Sequence, residues 1–357
     1  MLKNRMVVLT LFLEVNLVAG YISANASDLH SSLPLEKWPT NAKVDREVDQ
    51  LVEEMDKMSR ETVELEGLPV AFDNLCNGIL KIGIPGLPET IKQIENRDRD
   101  WKTRLTLISL IPYLRDIDSV KGAIIQPLAN ILLDKSNDIM VRTAVCTYGF
   151  SKLKDTAATE ALIETMEDKS NPEDVRYSAA HAFVFLHDER AVQPLLNVVD
   201  SDISVDVRKI AVAALGAIGR ETSNREMIQP LLEIAKDRSD PVRTNAISAL
   251  GAMKAEEALP LILEIAKGKQ GYDRHVAIWS LGNIGGHKAK RVLFDIARSD
   301  RDEWARVDAI KALIDMGDES IKEQIQDAIN SVNNPGGKKV LLDKFSKKFS
   351  EKKQETE

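Results

Sequence analysis

An arginine returns in one local context at near-constant intervals, and this spacing constrains the fold more than any other feature of the chain. Arg142, Arg176, Arg208, Arg243, Arg274 and Arg306 follow one another at 34, 32, 35, 31 and 32 residues. Arg104 stands 38 residues upstream as a degenerate member. A period of ~30–35 residues denotes stacked supersecondary units, each too small to bury its apolar face alone. With each Arg as position zero, column +4 reads Ile108, Cys146, Ala180, Val212, Ile247, Ile278 and Ile310. Column +7 reads Ile111, Gly149, Phe183, Leu215, Leu250, Leu281 and Leu313. Together with column +3 these share one face of an α-helix. That face is apolar throughout the array, so it is core.

Small residues at +6 (Ala182, Ala214, Ala249, Ala312) allow neighbouring helices to approach closely. Gly216, Gly251 and Gly282 at +8 are expected at helix ends, where the chain turns. A second apolar helix follows in each unit, as in residues 227–232 and 258–263. Pro127, Pro194, Pro230 and Pro260 are expected in its first turn, where a missing N–H matters least. Composition agrees: 357 residues contain only 18 Gly and 5% aromatics, which disfavours a turn-rich β protein and implies an aliphatic core. The fold expected is all-α, a right-handed α-α superhelix of about eight helical hairpins, of the HEAT/armadillo solenoid type.

The repeat segments carry a resemblance. Asp240-Pro-Val-Arg-Thr-Asn-Ala-Ile-Ser-Ala-Leu-Gly and Val205-Asp-Val-Arg-Lys-Ile-Ala-Val-Ala-Ala-Leu-Gly resemble HEAT repeats of the PBS (bilin) lyase HEAT-like type. Ile79-Leu-Lys-Ile-Gly-Ile-Pro-Gly-Leu-Pro-Glu-Thr-Ile resembles the junction between two helices of such a unit. The likeness implies a solenoid over residues 69–331. That family includes deoxyhypusine hydroxylase, a di-iron oxygenase with repeated His-Glu ligand pairs, and lyases that attach bilins to phycobiliproteins. This sequence has no His-Glu dipeptide; His187-Asp188-Glu189 is the nearest approach. The expectation is therefore a chain that is not an enzyme, with no metal and no cofactor.

The flanking segments divide by composition. Lys3 and Arg5, the apolar run 6–13 and Ala24-Asn25-Ala26 follow the order of an export signal over residues 1–26. This predicts a periplasmic or extracellular protein; a chain that keeps the segment would stay in the cytoplasm. Residues 27–68 are expected to hold an irregular leader and a charged amphipathic capping helix over 46–65. Asn333-Asn334-Pro335-Gly336-Gly337 breaks the array. A basic helix over 336–350 follows, with Leu341, Phe345 and Phe349 on one stripe, and 351–357 should fray. Its expected role is to cap the last repeat, with peripheral contact to an anionic membrane as the alternative.

Each chemically suggestive residue also has a structural reading. The arginine column is expected to bond to backbone and acids of adjacent repeats. His30, His181, His187, His275 and His287 do not cluster in sequence, and His181 falls in a polar column that faces water. Cys146 lies in a core column and Cys76 two units away; stacked helices ~8–10 Å apart put them beyond disulfide reach. The formal charge of −8 argues against nucleic acid as a partner. One group stands out. Tyr272 at −2, His275 at +1 and Trp279 at +5 share a face that is not the core face, and Trp304 occupies −2 in the next unit. Large exposed aromatics mark binding hot spots. The expected function is a protein-binding scaffold or adaptor. Its partner is a protein or peptide held on this aromatic patch or on a concave face. Residues expected on that concave face are Glu164, Asn197, Glu233, Lys236, Glu264 and Arg298 of the second helices.

Overall fold

A computed structural model describes residues 35, 38, 41–61, 70–268 and 271–350. The export segment and the terminal stretch 351–357 lie outside these residues. Among the described residues every regular element is helical, so the chain is an α solenoid of helical hairpins. It groups into two compact units, one ending at Asp188 and one beginning at Glu189.

The first unit holds α1 (Ala42–Glu61), α2 (Val70–Ile82), α3 (Leu87–Glu95), α4 (Trp101–Leu110) and α5 (Lys121–Leu133). It continues with α6 (Ile139–Ala144), a π-helical turn (Val145–Phe150), α7 (Ser151–Leu153), α8 (Thr159–Glu167) and α9 (Glu173–Leu186). α1 starts earlier than residue 46 because the Asn41 side chain accepts from the Lys43 and Val44 amides at 3.2 and 3.4 Å. Its Val48, Val52 and Met55 are fully buried. Its polar edge is equally engaged. Asp56 accepts the Asp100 amide at 2.6 Å, and Ser59 meets Thr103 at 2.8 Å. α1 is thereby tied to the first turn of α4.

Pro127 departs from expectation. It lies inside α5, because 121–126 continue the helix upstream of it. The π-helical turn was not visible in the column pattern either. Ser151 Oγ donates to the Cys146 carbonyl at 2.8 Å, and Val145, Cys146 and Phe150 are all fully buried.

The second unit holds α10 (Val192–Ser201), α11 (Val205–Thr222), α12 (Ile228–Lys236), α13 (Arg243–Ala252) and α14 (Leu259–Lys267). α15 (Tyr272–Ile284), α16 (Gly286–Ser299), α17 (Glu303–Met316), α18 (Lys322–Asn330) and α19 (Pro335–Ser350) complete it. The first helices α11, α13, α15 and α17 form one layer. Val212, Leu250 and Ile278 are fully buried, as the columns require.

Gly251 and Gly282 lie near the ends of α13 and α15, as expected, and all three glycines at +8 also mark near contact between helices. A Cβ on Gly216 would lie 2.8 Å from Ala249 Cβ, and one on Gly282 would lie 2.7 Å from Ala312 Cβ. At Gly251 it would lie 2.5 Å from Ser280 Cβ. α11 runs on past Gly216 to Thr222, and the chain turns at Ser223, which is left-handed with φ 61°. The second helices of this unit pack sparsely on one another by comparison. Asn197, Glu233, Lys236, Glu264 and Arg298 are exposed on the second helices. Glu164 is exposed on α8 of the first unit.

Within each unit the arginine column ties repeats together. Arg104 Nε donates to Ile94 O at 2.6 Å, and its Nη2 to Asn137 Oδ1 at 2.6 Å. Arg142 does the same with Leu132 O at 2.7 Å and Asn171 Oδ1 at 2.8 Å. In the second unit Arg208 Nε reaches Val199 O at 2.6 Å and its Nη2 pairs with Asp240. Arg243 Nε reaches Ala235 O at 2.9 Å and Arg274 Nε reaches Ala266 O at 3.0 Å. Their outer nitrogens pair with Asp273 and Asp300. Arg306 ends the series with a buried Nε that has no hydrogen-bond partner.

α19 packs on α17 and α18 through buried Leu341 and Phe349. Phe349 also lies against the Lys322 ammonium, 5.4 Å from the ring centre, and Lys344 pairs with Asp315 at 2.7 Å. Leu341 and Phe349 of the apolar stripe are therefore turned inward, while Lys339, Lys347 and Lys348 remain exposed. Exposed Val340 and Leu342, two positions apart, point to opposite flanks. Among the described residues no helix is long and apolar enough to cross a membrane.

Candidate functional site

α15 and α17 are oriented by their buried faces. Ala277, Ile278 and Leu281 of α15 and Ala309, Ile310 and Leu313 of α17 are fully buried. The opposite face looks out of the first-helix layer. Tyr272 is 76% exposed, Trp304 64% and Trp279 43%. On the preceding helices, small Ala213 and Ser248 occupy the position of Trp279, so Trp279 rises beside a low floor. α19 leaves these aromatics uncovered.

His275 differs from the aromatics. Its Nδ1 lies 2.9 Å from Asp308 Oδ2, and its Nε2 lies 3.5 Å from Asp302 Oδ2. The ring thus links α15 to α17. Asp302 also caps α17 by accepting the Trp304 amide at 2.9 Å, which fixes the backbone under that indole. Asp308 Oδ1 faces Lys311 Nζ at 3.5 Å. The structure therefore brings the four expected site residues to two adjacent helices: three as exposed rings, one as a buried-side linker. Nothing in the spacing foretold that His275 would sit between two carboxylates.

His181 is also a correction. It is half-buried between Tyr177, with ring centres 6.1 Å apart, and Phe185 at 5.3 Å. Burial lowers its pKa. The spacing of four places these three on one stripe of α9, a signal the polar column obscured. His187 ends α9 in a left-handed conformation, with Nε2 2.8 Å from Val184 O. Cys76 and Cys146 are free thiols. Burial pushes Cys76 up to about 12 and Cys146 further. Among the described residues no three His, Cys, Asp or Glu side chains gather in a way that could hold a metal ion.

A second recurring feature escaped the columns. Between one hairpin and the next, an aspartate accepts the amide two residues on: Asp134 from Ser136, Asp168 from Ser170, Asp237 from Ser239, each at 2.8–2.9 Å. These turns are structural, and they hold the carboxylates below their ordinary range. The Ser136 and Ser239 bonds do so for Asp134 and Asp237, and Lys135 with Ser170 for Asp168.

The HEAT-repeat family model matches residues 125–216, 192–282 and 228–314, together more than half of the chain. No curated protein matches the sequence. Among solved structures, the complex of CpcE and CpcF of phycocyanin lyase from Nostoc sp. PCC7120 is similar at 19% identity and TM-score 0.41, over 68% of this chain and 93% of that one. Escherichia coli YibA is similar at 16% identity and TM-score 0.47, over 82% and 99%. Human deoxyhypusine hydroxylase in complex with glycerol is similar at 16% identity and TM-score 0.27, over 85% and 98%. The arginine-locked helical hairpins and the matched segments agree, and the chain belongs to the HEAT-repeat family.

Proposed function

We propose that this HEAT-repeat chain is a non-enzymatic scaffold or adaptor that holds a protein or peptide partner on the outward face of α15 and α17, and that it works after export, in a periplasm or outside the cell. The observation that carries the reading is the exposure of Tyr272, Trp279 and Trp304 together on adjacent helices whose neighbours present small or polar groups. Large aromatics of this kind dominate binding energy at interfaces because each buries much area with few rotatable bonds.

Affinity capture with the full chain tests it. Trp279→Ala and Trp304→Ala should each weaken capture at least about tenfold, the cost of removing one hot-spot ring, with the melting temperature unchanged. Capture that is indifferent to both substitutions overturns the site. Two irons per purified chain would overturn the non-enzymatic reading in favour of a hydroxylase-like one. An amino-terminal residue other than one near Ser27 in the mature protein would overturn export.

A further inference from the structure

We infer that the partner presents a cationic segment to this face, with arginine or lysine side chains lying over Trp304, Tyr272 and Trp279 and their charge met by Asp302 and Asp308. The inference rests on the reading of the face as a protein-docking surface and adds the chemistry of what docks.

The argument begins with the imidazole. A neutral histidine carries one N–H, yet both ring nitrogens of His275 face carboxylate oxygens, Asp308 at 2.9 Å and Asp302 at 3.5 Å. One of the two contacts therefore lacks a proton whenever the ring is neutral. Lys311 lies 3.5 Å from Asp308 Oδ1, so its ammonium serves the other carboxylate oxygen and not that contact. Asp302 spends Oδ1 on the α17 amides and leaves Oδ2 to the ring. With a neutral ring, the two carboxylates and Lys311 leave one negative charge over, and two exposed rings share the helix faces of this cluster, Tyr272 three residues before His275 and Trp304 four before Asp308. A π face beside an unneutralised carboxylate is the arrangement that takes a cation: the ring quadrupole attracts the charge while the carboxylate accepts its N–H groups. Guanidinium suits it best, because it stacks flat and donates in the same plane.

The test uses the full chain and a labelled ten-residue peptide of alternating arginine and glycine, read by fluorescence anisotropy. The control peptide carries citrulline in place of arginine, with the same shape and no charge. The arginine peptide should bind saturably and the citrulline peptide at least about tenfold more weakly. Trp304→Ala should weaken the arginine peptide about 3- to 30-fold, and Trp304→Phe less. Asp308→Asn should weaken it similarly, with circular dichroism confirming that the helices persist. Glu233→Gln, on a second helix, should leave it unchanged. Equal binding of the two peptides, or arginine binding that ignores Trp304→Ala, overturns the inference, as does tighter binding of an uncharged proline-rich peptide. Capture of the natural partner that still depends on Trp304, without arginine-peptide binding, sinks the cation alone; capture and peptide both indifferent to Trp304 sink the docking face as well.

Discussion

Arg142 and Arg306 occupy the same repeat position and are held very differently. Arg142 is almost fully buried and donates to Leu132 O and Asn171 Oδ1. Its removal would strand a buried amide and a carbonyl, so Arg142→Ala should lower the unfolding free energy by about 3 kcal/mol in urea titration. Arg142→Lys should recover less than half, since an ammonium cannot serve both acceptors in one plane. Arg306 has an unpartnered Nε and only long contacts, at 3.5 Å to Asp300 O and 3.7 Å to Glu303. Arg306→Ala should change stability by less than about 1 kcal/mol. The arginine column was legible because its spacing is regular. Its partners were less so: Asn137 and Asn171 share one offset from the next arginine, but Asp240, Asp273 and Asp300 each stand at another. His275 was legible as part of an outward stripe, but its bridge to Asp308 crosses 33 residues and leaves no local trace.

Between elements, the glycine seam sets how closely first helices approach. Alanine in a helix interior is ordinarily ~1 kcal/mol better than glycine. At Gly216 the new methyl would meet Ala249 Cβ at 2.8 Å, so Gly216→Ala should instead destabilise by about 1–3 kcal/mol. Adding Ala249→Gly should return most of the loss; additive losses in a double-mutant cycle would refute the contact. The apolar columns predicted this layer, whereas glycine at a fixed offset reads equally as a turn or a close approach. The turns capped by aspartate should show themselves in acid. Lys290 and Ser320 hold Asp318 down at about 2, and Asp134, Asp168 and Asp237 are also depressed. Their folded values lie below the unfolded ~3.9, so the stabilisation is complete above that pH and fades as pH falls through the folded values. Melting temperature should hold from pH 6 to about 4.5 in a His181→Gln background and drop between about 4 and 2. In the unsubstituted chain His181, lowered by burial, adds an earlier decline that begins as pH falls through about 6.5.

For the molecule as a whole, the sequence pattern disclosed a stack of hairpins and an aromatic group off its core face. It left open which helix layer crowds most closely, since this depends on the Gly216–Ala249 and Gly282–Ala312 approaches. Recognition is proposed for the face bearing Tyr272, Trp279 and Trp304 rather than for the second helices. The most direct test is photocrosslinking of the full chain from a photoreactive phenylalanine analogue in place of Trp304, and separately in place of Glu233. The account predicts a partner adduct from position 304 and none from position 233. An adduct from position 233 with none from 304 would contradict it.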